Sequence, residues 1–205
     1  EVKRTINYFY ADGTKAKDSV EETKEFKRSA TINPVTGKIT FGDWSPAQRF
    51  DKVTSPTIEK YTPNRESVEA KEVTATSDDI TETVIYTPSK VPVDPNPTDP
   101  NEKVNPNAPV PNDPKGRTYK DLGLVEEVKH TIHYVYEDGS KADEDVVQTL
   151  TYTRTAKIDS VTGALSEVGD CTAKNGDDFT AVNSPVKEGY IVSKATSTAI
   201  NDVPA

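Results

Sequence analysis

The chain contains one series of motifs twice, and this repeat constrains its fold more than any other feature. Residues 2–15 are VKRTINYFYADGTK and residues 128–141 are VKHTIHYVYEDGSK, so corresponding residues differ by 126 in number. The same offset relates INPVTG at 32–37 to IDSVTG at 158–163. Because each copy is short, the repeat predicts two small units of one kind rather than one large domain.

The second copy is longer than the first in its middle. Tyr61 corresponds to Tyr190 at an offset of 129, so three residues are inserted before Tyr190. Aligning FGDW with VGDC places Cys171 where the first copy has Trp44. We interpret Cys171 as a small apolar filler at that position, the alternative being a reactive or partner-crosslinking thiol.

A stretch of different composition separates the two copies. Residues 91–114 hold eight of the 15 prolines and no aromatic residue. Proline fixes φ and favours extended polyproline II, in which 24 residues span about 75 Å. We predict a semi-rigid spacer over residues 89–119, the alternative being a proline-rich ligand for a recognition module.

The apolar residues of each copy alternate as they do in β-strands. Ile6, Tyr8 and Tyr10 occupy every second position, and Asp12-Gly13 then supplies the positive φ that a tight reversal needs. No stretch of about 12 residues shows apolar residues at helical spacing. The pattern therefore predicts a mainly β fold, although a short helix, and with it an α+β fold, stays possible.

The expected modules are residues 1–88 and residues 120–205. The first copy closes with VTATSDDITETVIYTP, which predicts a last strand containing Val84 and Tyr86. The second copy reaches Ala205 before any equivalent of that strand. We therefore expect the second module to lack its last strand, and we expect the chain, which begins without methionine, to be an internal fragment.

Composition excludes several classes of function. The chain is 33% hydrophobic and carries a formal net charge of -9, with no basic cluster. Nucleic-acid binding depends on clustered Lys and Arg, so it is not expected. No run approaches the roughly 20 apolar residues that a membrane span needs, and a lone cysteine allows no internal disulfide.

The motifs together resemble a known family. Four motifs occur in the same order in both copies: VxRTIxYxYxDG, an aromatic-x-Arg ending at Arg28 and Arg154, DxVTG and FxxVxSPxxxxY. This series resembles the repeats of mucus-binding (Mub, MucBP-related) surface adhesins of lactobacilli and other Gram-positive bacteria. Two departures are Asn33, in place of the acid of DxVTG, and Glu59-Lys60, where the family has a glycine before the tyrosine.

The resemblance implies both a fold and a function. It implies two tandem β-grasp-like modules of an extracellular, cell-wall-anchored adhesin whose anchor lies outside this fragment. The implied partners are host mucin glycoproteins or their glycans, bound through weak, repeated contacts, with immunoglobulin as an alternative partner. We expect a monomer without cofactor or catalytic activity; the alternatives are a stalk repeat that projects a distal adhesin domain and an immunoglobulin-binding module.

Candidate catalytic and metal-binding residues meet obstacles in the sequence. His130 and His133 are three apart on a predicted strand, so they should point to opposite faces and not share a metal. The acids at 143–145 and at 177–178 lack the calcium-loop pattern and are expected to be solvated. Lys–Asn crosslinks are conceivable, but no lysine stands out as a candidate among Lys3, Lys15, Lys129 and Lys141.

Aromatic side chains are the better candidates for binding a sugar. A sugar can stack on the ring of any of four residues, Tyr10, Tyr136, Trp44 and Tyr61. Tyr10 shares its strand face with Ile6 and Tyr136 shares its face with Ile132, so core packing is favoured for both. The sequence alone therefore assigns no ligand-binding, catalytic, cofactor or metal residue.

Overall fold

The structure is a computed structural model that describes residues 1–99 and 101–205. It divides into two compact units, Glu1–Ser89 and Lys90–Ala205. Every regular element in the described ranges is a β-strand, so the prediction of two strand-rich modules is confirmed and the possible helix is not found there. The described residues contain no helical segment with the length and apolarity that a membrane crossing requires.

The first unit is built from ten strands. They are β1 (Val2–Tyr10), β2 (Lys15–Lys24), β3 (Arg28–Ile32), β4 (Ile39–Trp44), β5 (Gln48–Phe50), β6 (Val53–Thr54), β7 (Tyr61–Pro63), β8 (Ser67–Val68), β9 (Lys71–Val73) and β10 (Ile80–Pro88).

A mixed four-stranded sheet in the order β2-β1-β10-β7 forms the centre of this unit. β1 and β2 are antiparallel and are joined at Asp12-Gly13, where Gly13 has a φ of 85°. β1 and β10 are parallel, with Tyr10 opposite Tyr86. Parallel neighbours need a long crossover, and here it includes three two-stranded pairs, β3–β4, β5–β9 and β6–β8, besides β2 and β7 of the central sheet.

The alternation in β1 places its apolar residues in the core. Ile6, Tyr8, Val84 and Tyr86 are each at most 2% exposed and pack into one cluster. The Tyr86 hydroxyl donates a hydrogen bond of 2.6 Å to the carbonyl of Pro56. Burial raises the pKa of Tyr8 and Tyr86 above the usual value for the phenol group.

A buried arginine connects the sheet to the crossover. Arg4 is 1% exposed and forms an ion pair with Glu22 on β2, with Nε 2.8 Å from the carboxylate. Its guanidinium also donates to the carbonyl oxygen of Asp51 at 2.6 Å and lies 4.9 Å from the centre of the Phe50 ring. Burying a charge is costly without such partners, so this network fixes the crossover against β1.

The second repeat makes the same connection without an ion pair. His130 occupies the position of Arg4, and its ring lies 5.3 Å from that of Phe179, the equivalent of Phe50. Gln148 occupies the position of Glu22 and donates to the carbonyl oxygen of Thr180 at 2.9 Å. Thr180 corresponds to Asp51, so a neutral amide replaces the guanidinium at this carbonyl.

The buried ion pair yields a prediction about stability. Glu22→Ala should lower the free energy of unfolding of the first unit by about 3 kcal/mol, because the Arg4 charge stays buried without its partner. Arg4→His combined with Glu22→Gln copies the second repeat and should cost less, about 1 kcal/mol, since no unpaired charge remains. Urea unfolding followed by the fluorescence of Trp44, the single tryptophan, reports on this unit.

A control for these variants is the exposed ion pair of Lys15 and Asp18. Asp18→Ala should leave the urea midpoint unchanged, because exposed pairs contribute little. A double variant that loses as much stability as Glu22→Ala would contradict the role given to the buried charge.

The second unit contains six strands. They are β11 (Lys90–Val93), β12 (Val125–Val135), β13 (Lys141–Thr153), β14 (Ala156–Asp159), β15 (Leu165–Ser166) and β16 (Thr172–Ala173). They form two sheets, in the orders β12-β13-β16 and β11-β14-β15. Within the described residues β12 pairs with β13 alone, whereas its counterpart β1 also pairs with β10.

The structure differs from the sequence prediction for much of the expected spacer. β11 pairs antiparallel with β14, and Val93 and Val110 are each 4% exposed in a core with Leu124 and Ile158. Pro92 is compatible with this strand because β11 pairs on one side only. Residues 90–124, apart from Pro100, which lies outside the described residues, are called the covering segment below.

A charged clamp holds the covering segment. The Asp113 carboxylate accepts hydrogen bonds from Arg117 Nε at 3.0 Å and Nη2 at 2.9 Å. Arg117 also donates to the carbonyl oxygen of Gly163, in the turn between β14 and β15. The hydrogen bonds from Arg117 lower the pKa of Asp113 from its ordinary 3.8 to about 2.

The clamp predicts a pH dependence. The pKa of Asp113 is lower in the folded chain than in the unfolded chain. The ionised carboxylate therefore contributes fully to the free energy of unfolding above pH 4, and this contribution is lost as the pH falls toward 2. After allowance for solvent screening this contribution is about 1 kcal/mol. The Val110 amide donates a hydrogen bond to the Arg117 carbonyl, so its hydrogen exchange reports on the clamp. As the pH falls from 4 to 2, the exchange rate of this amide in the original chain should rise relative to the rate of the same amide in Asp113→Asn. Equal pH profiles for the two chains would refute the clamp.

Candidate functional site

Two tyrosines meet at one end of the central sheet in the first unit. Tyr10 ends β1 and Tyr61 begins β7, and their ring centroids are 4.6 Å apart with an interplanar angle of 48°. Both rings are half-buried and pack against the core of Ile6 and Tyr8. The structure therefore brings together two of the four aromatic residues that the sequence suggested for binding.

The second unit contains the same pair. The ring centroids of Tyr136 and Tyr190 are also 4.6 Å apart, at 45°, and Tyr190 is 63% exposed. Lys187, three residues before Tyr190, forms an ion pair of 2.8 Å with Asp143. The hydrogen bond in this ion pair raises the pKa of Lys187 and lowers that of Asp143.

A shared turn positions the second tyrosine of each pair. The Tyr61 amide donates to the carbonyl of Ile58, and the Tyr190 amide donates to the carbonyl of Lys187, both at 3.1 Å. The residue before each tyrosine has positive φ, 80° at Gly189 and 67° at Lys60. Lys60 thus adopts the left-handed conformation that glycine adopts without strain, and the departure noted in the sequence leaves the turn intact.

The pair offers a chemically mixed surface. A tyrosine ring presents an apolar face, and its hydroxyl both donates and accepts hydrogen bonds. The C–H face of a sugar can stack on such a ring while its hydroxyls bond to the phenol. Because the ring centroids are only 4.6 Å apart, the two rings of each pair present one joint surface rather than two separate side chains.

A second aromatic group lies on the β3–β4 hairpin of the first unit. The Arg28 guanidinium carbon is 3.9 Å from the ring centre of Phe41 and 4.5 Å from that of Trp44. Phe41 is 53% exposed and Trp44 is 43% exposed. Val168 and Cys171 occupy these two positions in the second repeat, so this group is specific to the first unit.

The comparison with protein families supports the repeat. The profile of the family described as "Muc B2-like domain" matches residues 1–90 and again residues 120–205. The chain belongs to the Muc B2-like domain family. No curated protein matches the chain.

Several solved structures are similar to parts of this Muc B2-like chain. A mucin-binding domain from Streptococcus pneumoniae is 34% identical over 43% of this chain and 89% of its own, with a TM-score of 0.41. A MucBP domain of an adhesion protein from Pediococcus pentosaceus is 31% identical over 43% and 97%, with a TM-score of 0.39. The type 2 repeat of the mucus-binding protein MUB from Lactobacillus reuteri is 19% identical over 98% and 91%, with a TM-score of 0.42.

The DxVTG motif of the Muc B2-like repeats forms a side-chain-capped turn. Asp159 Oδ1 accepts hydrogen bonds from the amides of Val161 and Thr162, at 3.0 and 2.8 Å. In the first repeat Asn33 Oδ1 accepts the equivalent bonds from Val35 and Thr36. Asparagine and aspartate are interchangeable in such a turn, so Asn33 keeps its geometry.

The interpretation of Cys171 as an apolar filler is wrong. Its side chain is exposed and lies just before β16, outside any core cluster. The aligned Trp44 is itself partly exposed, so this position of the repeat does not demand a buried side chain.

The two histidines occupy separate environments. His130 is half-buried against Phe179, whereas His133 is exposed, with Nδ1 2.9 Å from a carboxylate oxygen of Asp145. Within residues 1–99 and 101–205, no three His, Cys, Asp or Glu side chains are arranged to hold a metal ion.

The acidic residues and lysines considered in the sequence form surface contacts. The acids at 143–145 contact Lys187, Lys141 and His133 in turn. Asp178 accepts a hydrogen bond from the Asp202 amide. The four lysines form exposed ion pairs, Lys3 with Glu1, Lys15 with Asp18, Lys129 with Glu127 and Lys141 with Glu144.

Tyr190 is the site residue that the sequence reasoning missed. Tyr61 was considered a candidate and its partner Tyr10 was favoured for the core, but their meeting depends on the pairing of β7 with β10. The signal was present in the alignment, because both Tyr10/Tyr136 and Tyr61/Tyr190 are retained in both repeats.

The exposure of Cys171 can be tested directly. The native chain should react with an aromatic disulfide reagent at one thiol per chain, at a rate within about threefold of the urea-unfolded chain, because access governs the reaction of an ordinary thiol. The release of thionitrobenzoate measures this rate, and Cys171→Ser should abolish it. Protection by a factor of 100 or more in the native state would contradict the placement.

Proposed function

We propose that the chain is a non-catalytic, mucus-binding adhesion module of a Gram-positive surface protein, and that both repeats contact host mucin glycoproteins. Membership of the Muc B2-like family over both repeats is the observation that carries this proposal. The similar solved domains are described as a mucin-binding domain and as a repeat of a mucus-binding protein, which agrees with it.

We assign the contact with mucin to the tyrosine pairs, Tyr10 with Tyr61 and Tyr136 with Tyr190. A repeated function needs a surface that both units share, and these pairs have the same centroid distance in both. The Arg28–Phe41–Trp44 group does not meet this condition, because the second repeat lacks both aromatic rings.

The charge of the chain makes short-range contacts necessary. With a net charge of -9, the chain gains no long-range attraction toward anionic mucin glycans. Stacking and hydrogen bonds must supply the affinity, and each aromatic contact contributes about 0.5–1.5 kcal/mol. Two weak sites on one chain raise the apparent affinity through effective concentration.

The finer aspects of this function are part of the same proposal. The protein acts as a monomer outside the cell, held at the cell wall by an anchor elsewhere in the polypeptide. Immunoglobulin binding and a passive stalk role are the competing functions, and the experiment below separates them.

The test measures capture of the full chain by immobilised mucin and, in parallel, by immunoglobulin. Tyr61→Leu combined with Tyr190→Leu keeps apolar packing but removes both rings and hydroxyls, and it should lower the apparent affinity for mucin about tenfold. Each single variant should lose less, because the other repeat still binds.

The matched control is Val35→Ser combined with Val186→Ser, at side chains that are 92% and 93% exposed and lie outside the tyrosine pairs. This control should bind mucin like the original chain. An unaffected double tyrosine variant would refute the assigned site. If the original chain bound mucin no better than an unrelated acidic protein of equal size, the proposed function would be wrong and the stalk role favoured; capture by immunoglobulin alone would favour the other alternative.

A further inference from the structure

The β3–β4 hairpin of the first unit exposes an apolar face. Ile32 and Ile39 are opposite each other in the hairpin register and are 61% and 50% exposed. Ala30 and Phe41 form the next pair on the same face, since they lie two positions along each strand. These residues, with Trp44, are called the hairpin face. A contiguous exposed apolar patch of this kind marks a site of interaction.

The inner part of the equivalent face in the second unit is also apolar but is buried, whereas Val168 and Cys171, at the positions of Phe41 and Trp44, stay exposed at its edge. Ile158 and Leu165 correspond to Ile32 and Ile39 and are likewise opposite each other, in the β14–β15 hairpin. Ile158 is 0% exposed and Ala156, which corresponds to Ala30, is 4% exposed. The repeat therefore retains an apolar hairpin face, and the two units differ in what covers it.

The covering segment accounts for this burial. β11 extends the sheet at the edge of β14, with Val93 opposite Ala156 and Lys90 opposite Asp159. Val93, Val110 and Leu124 then pack with Ile158 in a single cluster. Arg154 fixes the end of the segment, because its Nε donates to the Gly123 carbonyl oxygen at 2.6 Å.

The first unit has the matching features with no segment on them. β3, the equivalent of β14, pairs with β4 alone, so one edge of its backbone is free in the described structure. Arg28, the equivalent of Arg154, stacks on Phe41 and Trp44 instead of holding a segment. The covering segment lies before Val128, and Val128 corresponds to Val2. A segment equivalent to it for the first unit would therefore lie before the first repeat.

Charge does not oppose a segment of this type. Residues 90–124 contain five acidic and five basic residues, so the segment carries no formal net charge. Apolar contacts and the free edge of β3 therefore have to supply the affinity.

We propose that the hairpin face of the first unit is a docking surface for a polypeptide segment with the chemistry of residues 90–124. A Val-Pro-Val strand adds antiparallel to the free edge of β3, and a following turn with apolar side chains covers Ile32 and Ile39. The repeat alignment sets the register, with the second valine of the strand opposite Ala30. None of its residues belongs to a tyrosine pair, so docking can be measured separately from mucin binding.

The test titrates a synthetic peptide of residues 90–124 into the full chain and follows the fluorescence of Trp44, the single tryptophan, at the edge of the hairpin face. Docking should change the emission in a saturable manner, because Trp44 lies at the edge of the surface that the peptide covers. The expected Kd is about 10–500 μM, because a flexible peptide must be ordered as it binds. A peptide with Val93→Asp and Val110→Asp should bind at least about tenfold more weakly, since docking would bury unpaired charges.

Two variants of the chain locate the contact. Ile32→Asp is expected to abolish the fluorescence change, and because Ile32 is 61% exposed the chain should keep its circular dichroism and urea midpoint. Ile39→Ser provides a second, milder disruption. Val35→Ser, at the exposed tip of the same hairpin, should bind the peptide like the original chain.

Three results of the titration would overturn the proposal. They are no saturable change with the peptide at 1 mM, an equal response from the Asp-substituted peptide, and an equal response from Ile32→Asp. Self-association of the chain through the hairpin face that the peptide does not compete away would also overturn it, and would identify a second copy as the occupant.

Discussion

The parallel pairing of β1 with β10 is the constraint on which the rest of the first unit depends. Two parallel neighbours cannot be joined by a tight turn, so the chain between them must cross from one end of the sheet to the other. Three two-stranded pairs, together with β2 and β7, make this crossing. The crossing brings β7 beside β10 and therefore Tyr61 against Tyr10, and Arg4 fixes it to β1 through the carbonyl of Asp51.

The second unit reaches a related arrangement by a different distribution of contacts. β12 has a strand on one side only in the described residues, and no buried ion pair corresponds to Arg4 and Glu22. The covering segment instead supplies a strand, two core valines and the Asp113–Arg117 clamp. One Muc B2-like sequence pattern thus tolerates different sources of stabilisation, because the tyrosine pair and the DxVTG turn depend on local geometry that both repeats retain.

Much of this fold could be predicted from the sequence, because strand alternation and turn residues are local signals. Ile6 and Tyr8 are buried as their spacing predicts, and Gly13 has the positive φ that its turn requires. Contacts between residues far apart in the chain leave no such local signal. Prolines and acids dominate the average composition of residues 91–114, and this average concealed Val93 and Val110, whose burial depends on a partner more than 40 residues later. The meeting of Tyr10 with Tyr61 and the exposure of Cys171 likewise follow from tertiary packing, which no single spacing encodes.

The position of β11 gives the second unit a mechanical property. Tension applied at the N-terminal end of this unit acts on Lys90, so the ladder between β11 and β14 bears load at that end. Residues 90–124 would be released only by rupture of that short ladder, of the arginine bonds to Gly163 and Gly123, and of the core contacts with Ile158. At about 3.3 Å per residue, these 35 residues extend to roughly 115 Å. The folded segment therefore stores length that becomes available only when all of these contacts break.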